Sequence, residues 1–168
     1  MSITLFVSEE YMKNNLPISR NLDNKDIQPN IQMSQELYTQ DILGTNFYEY
    51  LMDVYSGGTL NANETILVRD YIKPQVAYRA LSLALPFLQY SIKNKGSQTQ
   101  FEDFSNTTDF TSFKFLLSKV DDRSEFYEKR MVKYLCENGN LFPEYQTDNS
   151  DIFPPNNSNG FSSGLLFY

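Results

Sequence analysis

Apolar and polar residues along this chain alternate with helical rather than strand periodicity. Ser8 has the character of an N-cap, with Glu9 and Glu10 in the first turn, where the helix dipole favours acids. Val7 and Met12 occupy the two positions of a hydrophobic staple, and Leu16-Pro17 stops this short first helix. A polar linker, Ser19 to Lys25, precedes a second helix that opens at Asp26 and tolerates Pro29 in its first turn. Its apolar face is predicted to carry Ile27, Ile31, Tyr38 and Ile42, with Leu37 beside them. Gly44 is expected as a left-handed C′ residue and Thr45 as the cap of the next helix, which carries Phe47, Tyr48, Leu51, Met52 and Tyr55 up to Gly57-Gly58. Gly44, Thr45 and Phe47 therefore mark a tight corner between two helices.

Asn61, with Glu64 three positions on, has the form of a capping box. Pro74 is expected to kink or break the helix that follows. Beyond it, Gln75, Arg79, Ser82, Gln89 and Lys93 trace a narrow polar stripe, and nearly everything else from Val76 to Ile92 is apolar. A helix apolar on most sides is the central one of a bundle. It is predicted to bend at Pro86 and to close at Lys95-Gly96, with a loop from Ser97 to about Asp109. A last helix covers Phe110 to Glu137: Phe113, Leu116, Leu117, Val120, Tyr127, Met131, Tyr134 and Leu135 keep the i, i+3, i+4, i+7 rhythm. Glu125 and Lys129 make a surface pair on it, and Gly139 ends it. Ile3 to Val7 is the one short stretch that can pair as an edge strand. The fold class is all-α, a compact bundle of about four to five helices.

The last 28 residues follow different rules. Leu141 to Tyr168 contain Glu144, Asp148 and Asp151 but no Lys or Arg; Lys133 is the final basic residue. Pro143, Pro154, Pro155 and the run Asn156 to Gly160 deny the segment a regular pattern. Ile152, Phe153, Phe161, Leu165, Leu166, Phe167 and Tyr168 punctuate it, and each gains roughly 1.5–3 kcal/mol from burial. Residues 1–140 are read as a helical domain and 141–168 as an extended docking arm. The anchors either fold back on their own domain, fray, or bury against a partner.

Composition narrows the chemistry. At 168 residues the chain suits one domain. A net charge of −7 opposes non-specific nucleic-acid binding. The single cysteine, Cys136, rules out an internal disulfide and reads as a packing or surface thiol. No signal peptide is visible, and the longest apolar run, Val76 to Leu88, includes Arg79 and is too short to span a bilayer. The expected setting is the cytosol of the cell that makes it, with no membrane partner. His is absent, which removes His-dependent catalytic triads and most zinc sites. Gly57-Gly58 lacks the Lys-Ser/Thr sequel of a phosphate loop. Adjacent acids such as Glu9-Glu10 and Asp121-Asp122 diverge on a helix, and Glu102, Asp103 and Asp109 are weak loop candidates. Neither an enzyme, a cofactor nor a metal site is expected; a carboxylate-bound metal would require a thermal shift dependent on divalent ions.

The stretch Ile27-Gln28-Pro29-Asn30-Ile31 through Asp41-Ile42-Leu43-Gly44-Thr45-Asn46-Phe47, followed by the helices of Asn61 to Gln89, resembles the head–tail connector adaptor proteins of tailed bacteriophages. The likeness is nearest to the versions in crAss-like phages and covers about residues 1 to 140. The resemblance implies a structural virion protein. Such adaptors form a ring, dodecameric, beneath the portal protein of the filled head, extend the DNA channel and present a platform for the next tail or ring protein. They let DNA pass without sequence-specific binding. A C-terminal extension that embraces the portal is common among them, which favours partner docking for Ile152, Phe153, Phe161 and Leu165 to Tyr168. The implied location is the head–tail interface of the virion, reached from the host cytoplasm during assembly. A competing reading from the residues themselves is a small helical regulatory or adaptor protein that binds a partner through its C-terminal peptide.

Overall fold

A computed structural model of the chain describes residues 4–18, 24–93, 96–99, 110–146 and 155. The helices are α1 (Glu9–Asn15), α2 (Asn24–Ser34), α3 (Gln40–Leu43), α4 (Thr45–Ser56), α5 (Ala62–Leu67), α6 (Lys73–Gln89) and α7 (Phe110–Glu137). Two π-helical turns, Gln35–Thr39 and Val68–Ile72, join α2 to α3 and α5 to α6 without a break. Among the described residues the architecture is therefore five helical rods in an all-α bundle, the expected class. One small antiparallel hairpin is added, β1 (Tyr90–Lys93) paired with β2 (Gly96–Thr99).

The local signals at the start of the chain operate as read. Ser8 is extended and its hydroxyl accepts from the Tyr11 N–H at 3.1 Å. Val7 and Met12 are both buried, and α1 stops at Leu16, before Pro17. The segment from Ile3 to Val7 is a correction: Ile3 lies outside the described residues, and Thr4 to Val7 form no strand. Their backbone instead pairs with a side chain. The Phe6 N–H donates to Gln35 Oε1 at 2.7 Å, and Gln35 Nε2 donates to the Thr4 carbonyl at 3.3 Å. One buried amide thus does the work of a neighbouring strand, satisfying main-chain groups that burial would otherwise leave unpaired.

The π turns rearrange the predicted faces. In the first, the Gln40 N–H reaches back five residues to the Gln35 carbonyl, which inserts one residue into the helical rhythm. Ile27, Ile31 and Ile42 face the core as expected, but Leu37 is exposed and Tyr38 only half-buried. Ser34, Gln35 and Thr39 turn inward in their place. In the second, the Lys73 N–H bonds to the Val68 carbonyl. This turn contains Asp70, whose carbonyl the ring of Pro74 would crowd in a regular α-helix. Widening the turn lets the rod run on from Val68–Ile72 into α6, so Pro74 does not break it, and the change from π to α geometry falls at Lys73. Pro29 likewise sits inside α2, beyond its first turn, because α2 starts at Asn24 rather than Asp26.

α6 is the central rod and packs against both α2 and α7. Val76, Ala77, Ala80, Leu81 and Ala84 are buried along it, the alanines allowing close approach. Gln75, Arg79 and Ser82 of its polar stripe reach side chains of neighbouring elements. Gln75 Oε1 accepts from the Thr39 hydroxyl at 2.7 Å, and Arg79 reaches Glu128 on α7 at 2.6 Å. The Ser82 hydroxyl donates to Asp121. The helix ends at Gln89, earlier than the apolar run predicts. Tyr90 to Lys93 and Gly96 to Thr99 are strands of the hairpin, so the helix does not run on to the expected closure. An unbroken apolar stretch cannot by itself distinguish buried helix from buried strand.

α7 spans the predicted Phe110 to Glu137. Phe113, Val120, Met131 and Leu135 are buried on its inner face, and Lys129 meets Glu125 at 3.1 Å. Leu116, at the rim of the apolar stripe, is exposed. Gly139 does not cap the helix with a positive φ; it opens a 3-10 turn, Gly139–Leu141.

Candidate functional site

Gly44 joins α3 to α4 with φ 77° and ψ 153°, a conformation reserved almost entirely for glycine. It is not the left-handed helical geometry expected of a C′ glycine, although φ is positive. Gly44 itself is the N-cap of α4, with its carbonyl accepting from the Tyr48 N–H at 3.0 Å. Thr45 is consequently the first residue of α4 rather than its cap, and its hydroxyl accepts from Gln40 Nε2 at 3.3 Å. The corner aims Phe47 into the core, where it is fully buried.

Phe47 is the point on which the root of the C-terminal segment is seated. Its ring lies 5.7 Å from Phe142 and 5.9 Å from Tyr145, measured between centroids. Phe142 also meets Tyr134 of α7 at 6.1 Å. A second 3-10 turn, Pro143–Gln146, carries Tyr145 and follows directly on Phe142, whose carbonyl accepts from the Tyr145 N–H at 3.0 Å; both rings are buried. Burial pushes the Tyr145 phenol well above its ordinary pKa, with nearby Cys136 adding to the effect. Phe142 and Tyr145 thus pack this stretch against the bundle, while Leu141 and Pro143 between and beside them stay exposed. The corner residues Gly44, Thr45 and Phe47 and the start of the arm, which the sequence presented as separate features, form one aromatic junction. Sequence reading singled out neither Phe142 nor Tyr145. The signal was present: two aromatics three residues apart, on either side of Pro143, directly after a helix. The anchors Ile152, Phe153, Phe161, Leu165, Leu166, Phe167 and Tyr168 lie outside the described residues.

Two recesses flank α1. A cleft of about 130 Å³ is lined by Tyr11, Asn15, Leu16, Pro74, Ala77, Tyr78 and Tyr127. Tyr78 and Tyr127 stack at 5.1 Å, and Lys73 lies 5.9 Å from the Tyr11 ring. Burial, then the neighbouring tyrosines and Asp70, raise the Tyr11 pKa. The lining offers phenols and aromatic faces, suited to stacking and not to proton transfer near neutral pH. A second, open recess of about 320 Å³ is lined by Glu9, Glu10, Lys13 and Asn14. Glu9 there is paired with Lys13. No cluster of three or more potential metal ligands occurs among the described residues.

The outer face of α7 has a different character. Phe115 and Phe126 are 65% and 60% exposed, values at which neither ring contributes to the core. Lys119 sits over the Phe115 ring at 5.5 Å and pairs with Asp122 at 3.2 Å. No described helix is long and apolar enough to cross a membrane.

Comparison with known proteins yields a family without a function. No curated protein and no solved structure matches the chain. A family profile does match, over residues 39–152, about two thirds of the chain and including the Gly44 corner, the central rod, α7 and the aromatic root. The chain belongs to DUF6712, a family of unknown function.

Proposed function

We propose that this protein is a structural, non-enzymatic subunit of a phage head–tail connector, a ring on the portal that extends the DNA channel and joins the head to the tail. The observation that carries the reading is the resemblance of residues 27–47 and 61–89 to connector adaptors. A helical body with a separately composed acidic, apolar-anchored C-terminal segment suits that role. The body supplies the wall of the ring. The segment beyond Gln146 starts from a root that is packed in the core, so tension on it is transmitted to Phe47 and α4 rather than to a flexible hinge. An acidic wall repels phosphate, which lets DNA slide without adhering.

Head-to-tail contacts close a ring only when the rotation per subunit is right, and a portal ring imposes that rotation. The chain alone is therefore expected to sediment as a monomer or weak oligomer, and to co-sediment as a defined ring when mixed with portal rings. Sedimentation velocity of the chain with and without portal rings tests this. A stable closed ring formed by the purified chain alone contradicts templated assembly, and absence of any complex with the portal contradicts the connector role.

A further inference from the structure

We infer that the outer face of α7 docks, head to tail, on the outer face of α2 and its π turn in a second copy of this chain. The inference deepens the ring reading and takes its setting from it, since it names the faces through which neighbouring subunits meet. Three observations carry it.

The first is the way charge is divided. Residues 26–68 contain six acids, Asp26, Glu36, Asp41, Glu49, Asp53 and Glu64, and neither a Lys nor an Arg. α7 exposes six cations, Lys114, Lys119, Arg123, Lys129, Arg130 and Lys133, against three exposed acids, Asp122, Glu125 and Glu137. Its other two acids are engaged inward: Asp121 accepts from Ser82 and Glu128 holds Arg79. One stretch thus lacks cations altogether, while one helix carries a surplus of them on a chain of net charge −7.

The second is the apolar surface set inside each charged field. On α2 and the turn after it, Met33 and Leu37 are 45% and 59% exposed, with Glu36 and Asp41 exposed beside them. Glu36 accepts from Gln32 Nε2 at 2.8 Å, a neutral donor. On α7, the exposed Phe115 and Phe126 are eleven residues, about three turns, apart on one side of the helix, with Lys119, Arg123 and Lys129 alongside. Arg123 has no acidic partner among the described residues. The surface pair of Lys119 with Asp122 is weak in water and exchanges readily. An apolar centre ringed by charges opposite to those of its partner is the make-up of a specific interface.

The third is placement. α2 and α7 both pack on the central rod α6. α2 turns Ile27, Ile31 and Ser34 inward, the Ser34 hydroxyl donating to the Val76 carbonyl at 3.1 Å, and α7 turns Val120, Met131 and Leu135 inward. The two outer faces are both exposed, so neither covers the other within one chain. Pairing α7 with α7, or α2 with α2, sets charges of one sign together and is disfavoured. Unlike faces paired head to tail leave one face of each kind open for the next copy, the arrangement that builds a ring. The apolar part of each face is small, so the contact is weak alone and depends on charge, in keeping with assembly on a template.

Two charge-reversed variants of the full chain test it. Glu36→Lys with Asp41→Lys makes both faces basic; Lys119→Glu with Arg123→Glu makes both acidic. All four positions are exposed, so circular dichroism melts of the variants are expected to match that of the parent. Sedimentation equilibrium at high protein concentration and low salt should show self-association of the parent chain, at least ten-fold weaker for either variant alone. An equal mixture of the two variants should restore it, because basic and acidic faces then alternate. Both variants remain net negative, since two reversals change the charge of −7 by four, so bulk attraction does not produce that recovery. A benzophenone amino acid at position 126, in mixed ¹⁴N- and ¹⁵N-labelled parent chain, is expected to cross-link into residues 33–41 of the other copy. A parent chain that does not associate, variants that associate as the parent does, a mixture that fails to recover, or cross-links confined to other residues each overturns the proposal. Any of these results with the chain present in phage particles leaves the connector reading intact. Recovery on mixing, for a chain absent from the particles, keeps the interface and removes the connector.

Discussion

Gly44 shows what one residue decides in this fold. At φ 77° and ψ 153°, a Cβ is strained whatever space surrounds it, and the corner behind it sets the direction of Phe47. Gly44→Ala is expected to destabilise the chain by about 1–3 kcal/mol, read as a lower urea midpoint with an unchanged slope. Phe47→Ala removes the ring shared by Tyr50, Phe142 and Tyr145 and should cost about 3–5 kcal/mol. The buried phenols add a pH signature. Burial raises the pKa values of Tyr11, Tyr48 and Tyr145, so these groups stay protonated in the folded chain after they ionise in the unfolded one, near pH 10. The unfolded state then binds fewer protons than the native state, and stability falls as pH rises above about 10. The stabilisation is complete below that value. Urea midpoints between pH 8 and 11 should decline at the alkaline end, and Tyr145→Phe should flatten the decline. A midpoint independent of pH over that range would contradict buried, protonated phenols.

At the scale of elements, the root of the arm makes the sharpest prediction. A chain ending at Gln146 keeps Phe142 and Tyr145 and should retain the thermal midpoint of the full chain. A chain ending at Asn140 loses both rings and exposes Phe47, so its midpoint should drop by many degrees or its cooperative transition disappear. Circular dichroism melts of the two truncations check this directly. Helix starts were the most legible elements in the sequence, because Ser8 and the Asn61–Glu64 capping box act through bonds within four residues. The π turns were not legible: the first accompanies long-range bonds from Gln35 to the backbone of Thr4 and Phe6, which no local period encodes, and the second answers the local crowding of the Asp70 carbonyl by Pro74 with a wider turn in place of a break. The same cause hid the inward turn of Thr39 and the exposure of Leu37. The hairpin after Gln89 was missed because Tyr90 to Ile92 extend an apolar run already long enough for a helix. The corner at Gly44 was read from its glycine, but its junction with Phe142 and Tyr145 spans about a hundred residues and needed the fold.

The whole molecule brings together an acidic helical body, a root that fixes the arm in the core, and a basic outer helix carrying two exposed phenylalanines. Each is a property of an assembling subunit under the connector reading, in which the rod bundle forms the wall and the arm reaches the portal. A regulatory protein would use the same apolar peptide but would not persist in a finished particle. Copy number in the particle therefore tests the central claim most directly. Quantitative peptide mass spectrometry on gradient-purified phage particles, comparing this chain with the portal protein, is expected to give a ratio near one to one. Absence of the chain from the particle would contradict the connector reading and favour the regulatory one.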